Sequence, residues 1–175
     1  IKKDSLFLKG SEVAKNSVLK SDIFTKLVQN SSIGDSTFKI LSALSEVPKE
    51  LVPSMYWWAT NKLWYLNTKP AIDRINQREL LEVIMHRVIS LEPNYDYGGA
   101  YRFFGVFYSR IPGVELSQSK TYFEKAISSN ESYFGNQVQM SEFYYQKSED
   151  KTSFIEQLEY VKSLDASLSN SNMPE

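Results

Sequence analysis

Cysteine is absent from the 175 residues, and histidine occurs once, as His86. The absence of cysteine excludes disulfides, thiolate metal sites and a cysteine nucleophile within this sequence. His86 has Glu82 one helical turn before it, but no motif supplies the nucleophile and orienting group that a catalytic base needs. The sequence also lacks a glycine-rich phosphate loop, a nucleophile elbow and a His-Glu-x-x-His motif. We therefore predict that the protein is not an enzyme, and we expect no catalytic residue, no metal and no cofactor.

Glycine and proline are scarce, with seven and six residues. A β-sandwich or β-barrel needs more turn-forming residues than this, whereas long helices joined by short loops need few. No uncharged apolar run is long enough to span a membrane. The net charge is −1, from 20 basic and 21 acidic residues, and basic residues do not cluster among aromatic ones. Nucleic acid is therefore not expected as a partner.

Apolar residues recur at helical spacing, and polar or proline-containing segments separate the periodic stretches. The pattern predicts eight antiparallel helices in a single helical-hairpin repeat domain over 1–166, followed by a polar, disordered tail over 167–175. No strand is predicted, and Glu149-Asp150 is interpreted as part of a solvated turn. The predicted helices cover 11–29, Ser36 to Leu44, Pro53 to Leu66, Pro70 to Leu91, 96–110, 116–128 and 132–146, with a last helix capped by Thr152 or Ser153.

An internal repeat is the strongest organising signal. One helix carries aromatic Tyr101, then Phe104 three positions later, small Gly105 next, and Tyr108 three positions after that. The next helix carries a small residue, an aromatic residue and an alanine, at Ser119, Phe123 and Ala126. Equivalent positions recur after 38 residues (Val88 to Ala126) and 35 residues (Ala126 to Val161), close to the tetratricopeptide period of about 34. The sequence thus predicts an all-α, tetratricopeptide-like antiparallel helical hairpin array. Its repeat-packing residues are Tyr101, Phe104, Gly105, Tyr108, Ser119, Phe123 and Ala126.

Several of these segments resemble the TRAP transporter T-component (TatT) family over roughly residues 36–165. The resemblance is carried by Met55-Tyr56-Trp57-Trp58-Ala59, by the run from Pro93 through Gly98-Gly99 to Gly105, by Tyr108 to Gly113, and by Phe123-Glu124-Lys125-Ala126. The Phe-Glu-Lys-Ala segment is common to all tetratricopeptide repeats, so the combination of motifs is what makes the resemblance specific. One departure is the turn Gly113-Val114-Glu115-Leu116, which has fewer glycines than the family's acidic turn.

The resemblance implies a periplasmic, lipid-anchored, helical accessory protein that partners a solute-binding protein of a TRAP-type (tripartite ATP-independent periplasmic) uptake system. It also implies a homotrimer with a channel through each subunit for apolar ligands, and a membrane association made only through a lipid anchor absent from this chain. Whether a signal peptide or a lipidated cysteine preceded Ile1 is left open by the sequence.

A helical array presents the first helix of each hairpin to its concave face. With Tyr101 taken as a buried anchor, we expect exposed positions at Arg102, Val106, Ser109 and Arg110. Arg102 is then a candidate to bind an anionic ligand group or a partner's carboxylate. The alternative is an intramolecular salt bridge, with Glu142 as the candidate partner. On the next repeat the exposed positions are expected to be Val138, Glu142 and Tyr145.

Three consecutive aromatic residues, Tyr56, Trp57 and Trp58, cannot all face one side of a helix, because neighbours lie about 100° apart. At least one therefore faces a cavity, another subunit or a second core layer, although a role in the core alone is the alternative. Tyr97 precedes paired glycines, which allow a close backbone approach or simply shape a loop. The predicted ligand-site or channel-lining residues are Tyr56, Trp57, Trp58, Tyr97, Arg102, Val106, Glu142 and Tyr145.

Two functional hypotheses follow, and a third remains as a check. The first is a non-catalytic accessory component of a TRAP-type uptake system, which binds a solute-binding protein and passes a hydrophobic or organic-acid ligand. The second is a generic tetratricopeptide adaptor that binds a peptide in its concave groove and uses Arg102 and Arg110 for a carboxylate. The third, an enzyme built on helices, would require a cluster of polar groups in a cleft around His86.

Overall fold

The computed structural model describes residues 3–31 and 34–164. Every regular element in these residues is helical and none is a strand, which confirms the predicted all-α class. The tail predicted over 167–175 lies outside the described residues. The helices are α1 (Lys3–Leu19), α2 (Asp22–Asn30), α3 (Ser36–Glu46), α4 (Val52–Leu66), α5 (Ala71–Asn76), α6 (Arg78–Leu91), α7 (Gly99–Arg110), α8 (Leu116–Ser129), α9 (Phe134–Met140) and α10 (Lys151–Ser163), with a 3₁₀ turn at Lys49–Leu51 and a π-helical turn at Ser141–Tyr145.

The chain forms two compact units, Ile1–Pro93 and Asn94–Glu175. The boundary follows the end of α6, where Glu92 leaves the helical conformation with φ −146° and ψ 77°. The proline at position 93 explains this end, because a residue before proline is disfavoured in the α conformation. The single domain expected over 1–166 stays a prediction.

In the first unit, α4 packs against both α1 and α6, and α3 packs against α6. Gly10, Ser11 and Ala14 of α1 are small, which suits a close approach to α4. A Cβ on Gly10 would lie 3.1 Å from the Asn61 side chain, and the buried Ser11 hydroxyl donates to the Trp58 carbonyl oxygen at 3.2 Å. The main packing partner of α1 is thus α4 and not α2, which follows it in sequence. In a simple array of hairpins, each helix would pack mainly against the next helix in the chain.

In the second unit, α7 packs against α8, α9 and the π-helical turn. The α7–α8 hairpin is closest at Gly105, where an added Cβ would lie 2.7 Å from the Phe123 ring. The Ser119 hydroxyl donates to the Gly105 carbonyl oxygen at 2.7 Å. The repeat-packing residues Phe104, Gly105, Tyr108, Phe123 and Ala126 are buried, whereas Tyr101 is half-buried. The tetratricopeptide-like array itself stays a prediction.

Several predicted helix boundaries are wrong, and the described residues form ten α-helices rather than the eight predicted. The helix predicted from Pro70 to Leu91 is two helices, because the backbone leaves the helical conformation at Gln77, with φ −102° and ψ 0°. The helix predicted over 11–29 is two helices, because Ser21 stops α1 and caps α2 by accepting a hydrogen bond from the Phe24 backbone at 3.2 Å. The helix predicted over 132–146 passes from α9 into the π-helical turn. The cap of α10 is Asp150, not Thr152 or Ser153, since its carboxylate accepts from the Ser153 backbone at 3.0 Å.

Candidate functional site

Arg102 lies buried in the second unit, with 6% of its surface exposed. Its guanidinium pairs with the Asp96 carboxylate at 2.5 Å and also donates to the Asp96 carbonyl oxygen at 3.2 Å. A third hydrogen bond, of 2.8 Å, reaches the Asn136 side-chain oxygen. The expected exposure of Arg102 is therefore wrong, and the intramolecular salt bridge is made with Asp96 rather than with Glu142.

The turn before α7 explains this arrangement. Asp96, Tyr97 and Gly98 all have positive φ angles, of 50°, 57° and 76°, and for the first two this conformation is uncommon in non-glycine residues. The turn folds the Asp96 carboxylate and carbonyl back onto Arg102. The Asn136 amide donates to the carbonyl oxygens of Tyr97 at 3.1 Å and Ala126 at 2.9 Å, which ties the turn to α8 and α9.

Tyr97 belongs to the same cluster. Its ring stacks on that of Tyr133 with centroids 4.8 Å apart and planes 7° apart. The Arg102 guanidinium lies 4.8 Å from the Tyr133 ring centroid, within the range of a cation–π interaction. The structure therefore brings two predicted site residues, Tyr97 and Arg102, into one internal network.

Val106 and Ser109 are also buried, so their expected exposure is wrong, whereas Arg110 is exposed as predicted. The reason is that α7 carries phenylalanines on several faces and is enclosed on nearly every side. The side of α7 opposite Tyr101 is not solvent-facing, because α7 also packs against α9 and the π-helical turn.

A shallow depression in the second unit is lined by some of the residues that were predicted for the concave face. It has a volume of about 320 Å³ and is lined by Ser109, Arg110 and Glu142, together with Phe143 and Lys147. The Arg110 guanidinium lies 5.2 Å from the Phe143 ring centroid, and the Lys147 ammonium donates to the Ser109 carbonyl oxygen. The predicted residues Val138 and Glu142 are exposed.

The three consecutive aromatic residues of α4 separate as their helical spacing requires. Tyr56 and Trp58 are buried in the core, whereas 43% of the Trp57 surface is exposed. Trp57 lines a groove between α1 and α4 with a volume of about 550 Å³. Exposed Leu6 and Val13 line the same groove. Only Trp57 of the three thus faces an open apolar surface.

His86 lies exposed on α6, in an open depression that also contains Glu79, Glu82, Arg87 and Ser90. Arg78 pairs with Glu82 at 2.8 Å, one helical turn apart. In the described part of the chain, no group of three or more His, Asp or Glu side chains could hold a metal ion.

A second cleft in the second unit, of about 490 Å³, combines Tyr145 with residues that the sequence analysis did not assign to a ligand site. One of them, Gln137, is 2% exposed, and its side-chain oxygen has no hydrogen-bond partner. The sequence pattern placed Gln137 on a helix without revealing that its amide would be enclosed. The other lining residues are Ile127, Glu131, Ser153, Glu156, Gln157 and Tyr160.

Tyr145 reaches this cleft from the last position of the π-helical turn. The turn is visible in the hydrogen bond from the Gln146 backbone to the Ser141 carbonyl oxygen, five residues earlier, at 3.1 Å. Such turns are frequent at functional sites because they reorient a side chain within a helix. Burial raises the pKa of the Tyr145 hydroxyl above its ordinary value.

Comparison with known families gives one assignment. The family model described as TRAP transporter T-component matches residues 3–173, which confirms the resemblance that the aromatic and glycine motifs indicated. A search of curated proteins found no match. Among the described residues, no helix is both long and apolar enough to cross a membrane.

Proposed function

Because the chain belongs to the TRAP transporter T-component family, we propose that it is a non-catalytic accessory component of its TRAP-type uptake system. In this role it binds the system's solute-binding protein and passes a hydrophobic or organic-acid ligand. The observation that carries the proposal is the family match, which covers nearly the whole chain rather than one repeat.

The groove between α1 and α4 supports the ligand part of the proposal. It exposes an indole and two aliphatic side chains, from Trp57, Leu6 and Val13. An exposed apolar groove of this kind is a common binding feature, and Trp57 is its largest side chain. We propose that Trp57 is the contact residue for the ligand, while Tyr56 and Trp58 support the helix that carries it.

The remaining parts of the proposal come from the family. They are a periplasmic location, a lipid anchor upstream of the present sequence and a homotrimeric assembly. A solute-binding protein and a membrane permease encoded next to this chain would add support from outside the molecule.

The peptide-clamp alternative receives less support from the site. It requires Arg102 to reach a peptide carboxylate, but Arg102 is buried and already bonded to Asp96 and Asn136. Releasing it would leave the Asp96 carboxylate buried without its partner, which is costly.

Sedimentation with the solute-binding protein encoded alongside this chain tests the docking part. We expect a complex that sediments faster than either protein alone at micromolar concentration. The complete absence of a complex at high micromolar concentration would contradict docking.

Titration with laurate tests the ligand part separately. Trp57→Ala should weaken laurate binding about thirtyfold, since burying an apolar side chain of this size contributes on the order of 2 kcal/mol. Phe38→Ala is the matched control, because Phe38 is also an exposed aromatic residue of the first unit but does not line the groove. Equal effects of the two substitutions would contradict a ligand contact at Trp57.

A further inference from the structure

The groove between α1 and α4 carries a single charge between apolar walls. Among the described residues that line it, Lys9 is the only charged one. Exposed Leu6 and Val13 lie on the same face of α1, before and after Lys9 at helical spacing. Exposed Trp57 lines the groove from α4. A recessed apolar surface with one basic group and no acidic one is complementary to an apolar molecule with one negative charge.

The other two lysines of α1 are engaged inside the first unit, whereas Lys9 is not. The Lys3 ammonium lies 5.9 Å from the Phe7 ring centroid, and Lys15 pairs with Glu12 at 3.7 Å. Within the part of the chain that the structure describes, the Lys9 ammonium has neither an ion pair nor a hydrogen bond. Lys9 is exposed, so its charge is available to a bound group.

The groove is elongated along α1. Its lining residues on that helix run from Leu6 to Ser17, which corresponds to about 16 Å at 1.5 Å per residue. Side chains lean toward the N-terminus of their helix, so the Lys9 side chain leans toward the Leu6 end. The small residues Gly10 and Ala14 line the groove beyond it. This leaves a long apolar path between the Lys9 end and the Ser17 end, which suits an extended alkyl chain.

The far end of the groove shows no provision for a second charge. The Ser17 and Ser54 hydroxyls share a hydrogen bond of 3.0 Å, so each already has a partner. No described cation lines this end. A second carboxylate would therefore lie against apolar side chains without a counter-ion, which is costly. The charge pattern thus favours a monocarboxylate over a dicarboxylate.

We propose that the groove between α1 and α4 selects a medium-chain monocarboxylate, whose carboxylate pairs with Lys9 and whose alkyl chain lies against Val13 and Trp57. This inference rests on the ligand role proposed above for the groove and narrows that role to one chemical class. Lys9 determines the preference for the head group, whereas Trp57 provides contact with the chain.

Calorimetric titration with decanoate tests the proposal, with decylammonium, 1-decanol and decanedioate as probes of the same chain length. We expect decanoate to bind more tightly than decylammonium, because their head groups have opposite charges, and more tightly than decanedioate. High salt should reduce the difference between decanoate and decylammonium, since exposed charges produce it. Equal affinities for decanoate and decylammonium would overturn the proposal, as would tighter binding of decanedioate.

Two lysines of α1 give a matched pair of variants. Lys9→Met should weaken decanoate binding about threefold to fivefold, as expected for an exposed ion pair, and should leave 1-decanol binding unchanged. Lys15→Met, on the same helix but outside the groove, should leave both unchanged. Lys9→Glu should reverse the order, so that decylammonium binds more tightly than decanoate. Equal effects of Lys9→Met and Lys15→Met on decanoate would refute the role of Lys9.

The same titrations separate this proposal from the ligand role on which it rests. If decanoate, decylammonium and 1-decanol bind alike, and Trp57→Ala weakens all three, the groove is a ligand site but its assignment to a carboxylate is wrong. If none of the three binds up to its solubility limit, both the ligand role of the groove and the assignment are contradicted.

An apolar surface beside a lysine is also found where proteins contact anionic membranes. A recessed groove suits one chain, whereas insertion into a bilayer needs protruding side chains. Flotation with phosphatidylglycerol vesicles distinguishes the two, and we expect the protein to remain unbound. Flotation of the wild-type protein that Lys9→Met abolishes would overturn the assignment to a free carboxylate.

Discussion

Arg102 shows how one residue can be misassigned from a sequence and still be essential to the structure. It holds two consecutive non-glycine residues, Asp96 and Tyr97, in left-handed conformations through hydrogen bonds to the carboxylate and carbonyl of Asp96. Each such conformation costs on the order of 1–3 kcal/mol, so the turn needs a strong internal partner. A buried arginine with a planar, multidentate head provides it.

Arg102→Met should therefore destabilise the protein by about 3 kcal/mol, because it leaves the Asp96 carboxylate buried without its cation. The free energy of unfolding is measured from urea denaturation followed by circular dichroism. Arg110→Met is the matched control, since Arg110 lies on the same helix but is exposed, and it should cost less than about 1 kcal/mol. Similar losses for the two variants would contradict the structural role assigned to Arg102.

The sequence could not predict this role because helical spacing says nothing about the preceding turn. Asp96 lies six residues before Arg102, which is too far for a pair along one helix. The contact exists only because the chain reverses through Tyr97 and Gly98. For the three aromatic residues of α4, the roughly 100° step between neighbours required different directions but did not show which one would be exposed.

At the level of the elements, α10 is held differently from the rest of the second unit. None of its residues is buried. Its start depends on Asp150, which accepts hydrogen bonds from the Ser153 backbone and hydroxyl at 3.0 and 2.7 Å. The start of α10, which forms one wall of the Gln137 cleft, is thus held by a polar cap.

Acid should fray this helix. The hydrogen bonds from Ser153 hold the pKa of the Asp150 carboxyl below its ordinary value of 3.8, so the folded state favours the ionised form. The stabilising contribution is present at neutral pH and is lost as the pH falls through the lowered pKa. Carbon chemical shifts of Lys151 to Ser153, followed by NMR from pH 6 downward, should move toward coil values.

Two variants separate the cap from general charge effects. Asp150→Ala should show frayed shifts at every pH, because the acceptor is missing. Glu149→Gln removes a neighbouring negative charge without removing the cap and should retain the acid-dependent change. An unchanged α10 in Asp150→Ala would show that the cap does not hold the helix.

At the scale of the whole molecule, the sequence predicted the class and most of the helices well. Scarce glycine and proline, together with the helical period, are sufficient for an all-α assignment. The pairing of helices was less predictable: α1 packs on α4 because small residues allow close contact, whereas its apolar periodicity is weak. The Gln137 cleft was not predicted, because burial of a glutamine on α9 depends on how α8 and α10 pack around it.

The prediction that residues 1–166 form a single domain can be tested by fluorescence, because tryptophan is unevenly distributed between the two units. All three tryptophans, Trp57, Trp58 and Trp64, lie in the first unit, so indole fluorescence reports unfolding there, while circular dichroism reports helix loss throughout. Gly105→Ala perturbs only the second unit directly, because its Cβ would overlap the Phe123 ring. We expect overpacking to cost about 1–3 kcal/mol.

If residues 1–166 unfold as one domain, Gly105→Ala lowers the thermal midpoint equally by fluorescence and by circular dichroism. The expected shift is about 2–4 °C for each kcal/mol, as is usual for a chain of 150–250 residues. Thr121→Ala, on the exposed side of α8, serves as the control and should move neither midpoint by more than about 2 °C. A fluorescence midpoint that stays at the wild-type value, while circular dichroism shifts, would show that the two units unfold separately and that the single-domain prediction is wrong.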